Sequence, residues 1–321
     1  MKKVIIVADA STAIGSGHVI RCLTIAQSLV KQQCEVKFLM NGLPGNLIEF
    51  VEKEGFINIS SYENADLYII DHYEMDAAQE RSIRKFAKKI MIIDDLANRE
   101  HDCDLLLDQN VMPHYETRYD SLVNENCMKL LGPKYLITRE EFIHARYQRN
   151  IVDVQRVLVF MGGSDPTAET LKVLEALRGF YFSHIDVVVG NGNIHKEEIK
   201  QICEERGYYY HQQINYMADL MRKADFSLGA GGATTWERCY VGLPSACTIV
   251  AENQRIGTMY AADLGACVNL GWHEQVTSET YRDVLNNLSM NELQTISNIG
   301  HKITANNKPN PWLNEILELI R

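Results

Sequence analysis

The 321-residue chain carries 42 acidic against 32 basic residues, a formal charge of −10, and no Lys/Arg-dense block. This balance speaks against a nucleic-acid partner, though not against a local anion site built from backbone N–H groups. At about 100–200 residues per domain, the length points to two domains.

The eight cysteines, at 22, 34, 103, 127, 203, 239, 247 and 267, contain no C-x-x-C pair. A zinc or thioredoxin-type motif is therefore not expected, and neither is a metal or cofactor. No apolar run approaches the ~18–20 residues of a membrane span, and the chain opens on a strand rather than a charged-then-apolar leader. A cytoplasmic location with reduced, buried thiols is expected.

Residues 4–8, Val-Ile-Ile-Val-Ala, have the length and apolarity of a buried parallel strand. The turn Gly15-Ser16-Gly17-His18 follows, and then a predicted helix over 18–31 with Val19, Leu23, Ala26 and Val30 on its apolar face. The first strand-to-helix turn is where open α/β sheets place ligands. His18 stands at or near the helix N-terminus, where the dipole disfavours imidazolium and leaves the neutral ring that a general base needs. The same position also suits a plain cap or polar rim residue.

Further strands are predicted at 36–40, 67–70, 90–93 and 105–107, with helices at 44–54 and 77–89. Three strands run out into Asp71-His72-Tyr73, Asp94-Asp95 and Asp108-Gln109-Asn110, which should line one rim with residues 15–18. Aspartate after a strand also serves as turn former or cap. A turn at Gly132-Pro133 and a charged, helical stretch over 139–149 mark a junction, giving domains of residues 1–150 and 151–321.

A second α/β series has strands at 157–160, 185–189, 226–228 and 245–250. Met161-Gly162-Gly163-Ser164-Asp165 follows the first of these. Its glycines admit close backbone approach, and Ser164 and Asp165 can cap a helix. Gly229-Ala230-Gly231-Gly232-Ala233-Thr234-Thr235 is the stronger signal, because a helix opening on glycines offers unpaired N–H groups to a phosphate. It is neither a P-loop nor a dinucleotide fingerprint. Glu237, about one turn further, can accept from ribose hydroxyls or simply sit favourably near a helix start. Glu252-Asn253-Gln254 ends a later strand, Gly265 is a predicted C-cap, and the Asn306-to-Pro311 break precedes a closing amphipathic helix at 312–320.

The ordered set Gly-x-Gly-His-x-x-Arg, Asp-His-Tyr, Met-Gly-Gly-Ser-Asp and Glu-Asn-Gln resembles the UDP-2,4-diacetamido-2,4,6-trideoxy-β-L-altropyranose hydrolase family of pseudaminic acid biosynthesis. The likeness spans residue 1 to about residue 265, and the tail from 268 matches no motif. It implies two facing Rossmann-like domains of the GT-B type, with an inter-domain cleft and a C-terminal closing helix. The implied reaction is metal-independent, inverting hydrolysis of a UDP-linked amino sugar. His18 would be the base, with Gly15, Gly17, Arg21, Tyr73 and Asn253 at the sugar. Gly162, Gly163, Ser164, Gly231, Gly232, Ala233 and Thr234 would hold UDP, and Glu237 the ribose. The small-molecule substrate is the implied partner, with no obligate protein partner. The alternatives are a GT-B glycosyltransferase with an acceptor groove along residues 43–48, and a non-catalytic nucleotide-sugar binder. A dinucleotide-dependent enzyme is disfavoured by the missing fingerprint.

Overall fold

Two all-parallel sheets organise the chain, one of seven strands and one of six. The computed structural model describes residues 1–11, 14–305 and 309–321; Ala13 of the first glycine turn and residues 306–308 of the predicted break lie outside them. The chain divides into one unit of Met1–Asn110, His114–Thr138 and Lys308–Arg321, and another of Val111–Pro113 and Arg139–Asn307.

The first unit runs β1 (Lys3–Ala8), α1 (Gly17–Lys31), β2 (Glu35–Leu39), α2 (Ile48–Lys53), β3 (Ile57–Asn58), β4 (Ala65–Asp71), α3 (Ala77–Ile83), β5 (Ala87–Ile93), β6 (Leu105–Asp108) and β7 (Met128–Leu131). The strand order is β3-β2-β1-β4-β5-β6-β7. The central strands are buried on both faces, which is why they read as unbroken apolar runs. The α1 face includes Val19, Cys22, Ile25, Ala26 and Leu29, whereas Val30 is exposed.

Several predicted boundaries shift. The helix predicted over 44–54 begins only at Ile48, because Gly45 takes a positive φ in a preceding turn closed from Asn46 N–H to the Leu43 carbonyl. The helix predicted over 77–89 stops at Ile83. Arg84 turns there to pair with Asp102 and Asp104, and the chain enters β5. The short strands β3 and β7 carry too little apolar pattern to stand out.

The second unit begins at α4 (Glu140–Ala145), shorter than the predicted 139–149 helix. It continues β8 (Arg156–Phe160), α5 (Glu169–Ala176), β9 (His184–Val189), α6 (Lys196–Arg206), β10 (Tyr209–Gln212), α7 (Met217–Lys223), β11 (Phe226–Ala230), α8 (Ala233–Val241), β12 (Ser245–Ile249), α9 (Arg255–Asp263), β13 (Val268–Trp272), α10 (Ser278–Asn286) and α11 (Met290–Ile303). Its order is β10-β9-β8-β11-β12-β13, the same winding as the first sheet. Gly265 ends α9 with positive φ, its N–H on the Ala262 carbonyl.

The domain boundaries at 150 and 321 are corrected by two features. Arg146 and Arg149 belong to the second unit, donating to carbonyls at the C-terminal ends of α8 (Tyr240, 2.7 Å) and α7 (Met221, 2.6 Å), where the helix dipole favours a cation. The last helix, α12 (Trp312–Leu319), returns to the first unit, where Trp312, Ile316 and Ile320 pack into the core of β1 and α1. All eight cysteines are buried and unpaired. Among the described residues no helix is long and apolar enough to cross a membrane.

Candidate active site

In the first sheet the strand order reverses direction at β1/β4, and ligands of open α/β sheets sit beyond the carboxyl ends at such a point. α1 starts there. Its N-cap Ser16 makes no side-chain cap, and His18 is the second helical residue, nearly buried. Nδ1 of His18 lies 2.6 Å from Oδ1 of Asp71, the last residue of β4.

Arg21, one turn along α1, reaches the same carboxylate with Nε at 2.5 Å and NH2 at 2.6 Å, and its NH1 lies 3.4 Å from Asp95. Tyr73 donates to Asp95 at 3.2 Å and sets its ring edge-on to His18, centroids 4.5 Å apart. Burial alone would raise the Asp71 carboxyl, but the Arg21 guanidinium, and then His18, hold it well below the usual carboxylate range. Burial, and then the Asp95 charge, push the Tyr73 phenol well up, so it stays a donor.

An ionised Asp71 accepts from Nδ1–H of His18. That fixes the tautomer and leaves Nε2 as the lone-pair nitrogen. Among the described residues Nε2 has no hydrogen-bond partner. A Cβ on Gly15 or Gly17 would meet no protein atom within 4 Å, so space is open beside the helix start. The rim reading of Asp71, Tyr73 and Asp95 is what the fold displays. His72 turns away, to Asp9 at 3.3 Å.

In the second unit the equivalent reversal lies between β8 and β11. Gly162, at positive φ, and Gly163 follow β8, and a Cβ on either would meet nothing within 4 Å. Asp165 takes the N–H groups of Glu169 and Thr170 at 2.9 Å, while exposed Ser164 makes no such cap. After β11, Gly232 is the N-cap of α8 with positive φ and no side-chain cap, followed by exposed Ala233 and half-buried Thr234. Glu237 accepts from Arg139 at 3.1 Å, and Arg139 also binds Glu141 at 2.6 Å. Asn253 is exposed in the short turn after β12, where Gln254 approaches Gly231 and Gly232. Among the described residues no three His, Cys, Asp or Glu side chains converge as a metal-holding group.

Pattern reading put Asp71 and Asp95 on the rim without giving them a part beside His18, and it left out Gly190, Arg139 and Thr258 beside the second-unit turns. Gly190 presses on the backbone of Gly163, and Thr258 on Gly231.

No protein-family model matches the chain. It is 30% identical over 205 residues to the UDP-2,4-diacetamido-2,4,6-trideoxy-beta-L-altropyranose hydrolase of Campylobacter jejuni, covering 60% of this chain and 72% of that protein. The chain belongs to this hydrolase's family. Another relative is the spore coat polysaccharide biosynthesis protein SpsG of Bacillus subtilis, 27% identical over 292 residues and covering 86% of this chain and 85% of SpsG. A protein of Methanocaldococcus jannaschii, MJ1062, is 27% identical over 277 residues, 79% of this chain. This member of the hydrolase family spans 57% of the length of that archaeal relative.

Among solved structures, MurG of Acinetobacter baumannii superposes with a TM-score of 0.67 at 15% identity, over 100% of this chain and 99% of MurG. HepE of Anabaena, solved with UDP and glucose, gives 0.54 at 11% identity over 99% and 98%. With its two Rossmann-like sheets, this family member has the GT-B-like fold.

Proposed function

We propose that the protein hydrolyses a UDP-linked 2,4-diacetamido-2,4,6-trideoxy hexose at its anomeric C–O bond, releasing UDP and the free sugar with inversion, as a soluble step of nonulosonic acid synthesis. The observation that carries this reading is the His18–Asp71 pair at 2.6 Å, which frees Nε2 beside an open helix start. Nε2 takes a proton from water as its oxygen bonds the anomeric carbon, and Asp71 stabilises the imidazolium that forms. The C–O bond to the diphosphate breaks in the same step. The leaving charge falls to N–H groups at the start of α8 and at the Gly162-Gly163 turn, in place of a strong general acid. Glu237, held by Arg139, accepts from the ribose. Tyr73, Arg21 and Asn253 act at the sugar, Arg21 through Asp71. Family membership and the two glycine turns support the nucleotide assignment.

The test is incubation with a panel of UDP-diacetamido sugars, following products by NMR. Free sugar and UDP from substrate and water alone, with the anomeric configuration inverted in the first product, is the expected result. Turnover that requires a second sugar or lipid acceptor would make the protein a glycosyltransferase. Tight UDP binding with no turnover on any member of the panel would make it a nucleotide-sugar binder.

A further inference from the structure

Several arginines of the second unit are placed on helix ends, and one breaks the electrostatic rule. Arg146 and Arg149 rest on helix C-termini, the favourable end for a cation. Arg238, on α8 itself, is fully buried and folds back towards the N-terminal, positive end of its own helix. Its NH2 donates to the Ala230 carbonyl at 2.7 Å and lies 3.2 Å from Thr235 Oγ1 and from Cys247 Sγ. Its Nε and NH1 have no partner, and among the described residues no carboxylate pairs with it. NH1 packs against the end of strand β11, where a Cβ on Gly229 would overlap it.

A buried guanidinium without a counter-ion is costly unless something else compensates it. A second orphan points at the same turn: Thr258 Oγ1 is buried without a partner against Gly231. The Cys247 thiol facing the guanidinium is pushed down by its bond from Cys267 first, against burial, and then by Arg238.

We infer that Arg238 is a fixed positive charge beneath the β11–α8 turn whose missing counter-charge is the diphosphate of the bound nucleotide, so that it selects for ligand charge without touching the ligand. It is a positioning residue. Its donation to Ala230 holds that carbonyl inward, and its charge adds to the N–H groups of the α8 start. The inference rests on the nucleotide reading proposed above.

The experiment is calorimetric titration of wild type, Arg238→Gln and Arg238→Lys with UDP, UMP and uridine at one ionic strength. Glutamine keeps a donor for Ala230 and loses the charge. R238Q should weaken UDP by about 10- to 100-fold, towards or below the low end of the cost of breaking a directly bonded buried charge pair because Arg238 does not touch the ligand, weaken UMP less and leave uridine unchanged. R238K should keep the UDP-to-uridine affinity ratio near that of wild type. A merely structural role would move all three ligands together, and that result overturns the inference. R238Q with wild-type UDP affinity also overturns it. Should R238Q not fold, a folded R238K whose UDP-to-uridine ratio has collapsed overturns the inference, and a retained ratio supports it. Wild type that binds no UDP overturns the nucleotide reading and the inference together, an outcome distinct from failure at Arg238 alone.

Discussion

Asp71 holds Nδ1 of His18 at 2.6 Å while Arg21 grips both oxygens of the same carboxylate. The aspartate is thus kept ionised by one partner in order to orient the other. His18→Asn should lower kcat by at least about 10²-fold, the usual contribution of a general base, with UDP affinity retained. Asp71→Asn should cost about 10²- to 10⁴-fold, since an amide no longer enforces the tautomer. It should also lower the melting temperature, because the nearer carboxylate partner of Arg21 is lost and Asp95, at 3.4 Å, is the one that remains. Steady-state kinetics with UDP titration checks both; an H18N variant with unchanged kcat removes His18 from the chemistry.

Tyr73 separates two contributions. Its ring meets His18 edge-on and its hydroxyl serves Asp95. Tyr73→Leu should lower kcat roughly 2- to 10-fold, the worth of an edge-to-face pair. Tyr73→Phe keeps the ring and should leave kcat near wild type. An equal loss in Y73F and Y73L would show that the hydroxyl, not the ring, matters to His18.

The nucleotide side offers a paired glycine test. A Cβ on Gly190 would fall 2.6 Å from Gly163 Cα and overlap the Gly163 carbonyl, so the Gly162-Gly163 turn must move. A Cβ on Gly192 would find Ser164 Cβ at an ordinary 3.5 Å. Gly190→Ala should destabilise the protein by about 1–3 kcal/mol, the usual cost of overpacking, and weaken UDP about tenfold or more. Gly192→Ala should do neither. Equal UDP affinities in the two variants would detach the 162–164 turn from nucleotide binding.

These relationships differ in how far the sequence could carry them. The central strands were legible because burial on both faces makes their runs apolar throughout, and the glycine turns because each ends such a run. Asp71 was legible as a rim residue, but its grip on His18 joins positions 53 apart and follows from β1–β4 pairing. The Gly190–Gly163 contact likewise needs β8 beside β9. Arg146 and Arg149 fall in the charged stretch read as a helix over 139–149, yet they are consumed by helix C-termini, which moved the junction between units. α12 could not be assigned from amphipathicity alone, since an apolar stripe does not name the core it meets.

The pH dependence of stability in the first unit follows from a buried cluster behind the site. His101 places Nδ1 2.7 Å from Glu80 and Nε2 3.9 Å from Asp94. Burial alone would lower its pKa, but the Asp94 and Glu80 carboxylates raise it to about 9. A histidine whose folded pKa is raised contributes fully below its unfolded value of about 6.5 and loses that contribution as pH rises through about 9. Asp108 acts in the same direction. Burial, and then the nearby Asp95 and Asp94 charges, push it up to about 7 against Arg118 and the Asn110 N–H, so its contribution is present below about pH 4 and fades as pH rises through about 7. Asp71 and Asp94 work oppositely: both are held below the usual range, so their contributions are present above about pH 4 and are lost in acid. Calorimetric melting should therefore show greatest stability near pH 4, a decline towards about pH 7 as Asp108 ionises, and a further fall towards pH 9 on the order of 3 kcal/mol from His101. His101→Gln, which keeps a donor for Glu80, should flatten the slope between about pH 6.5 and 9 and leave the acid limb intact. An H101Q variant with the wild-type slope in that window would assign the alkaline loss to another group.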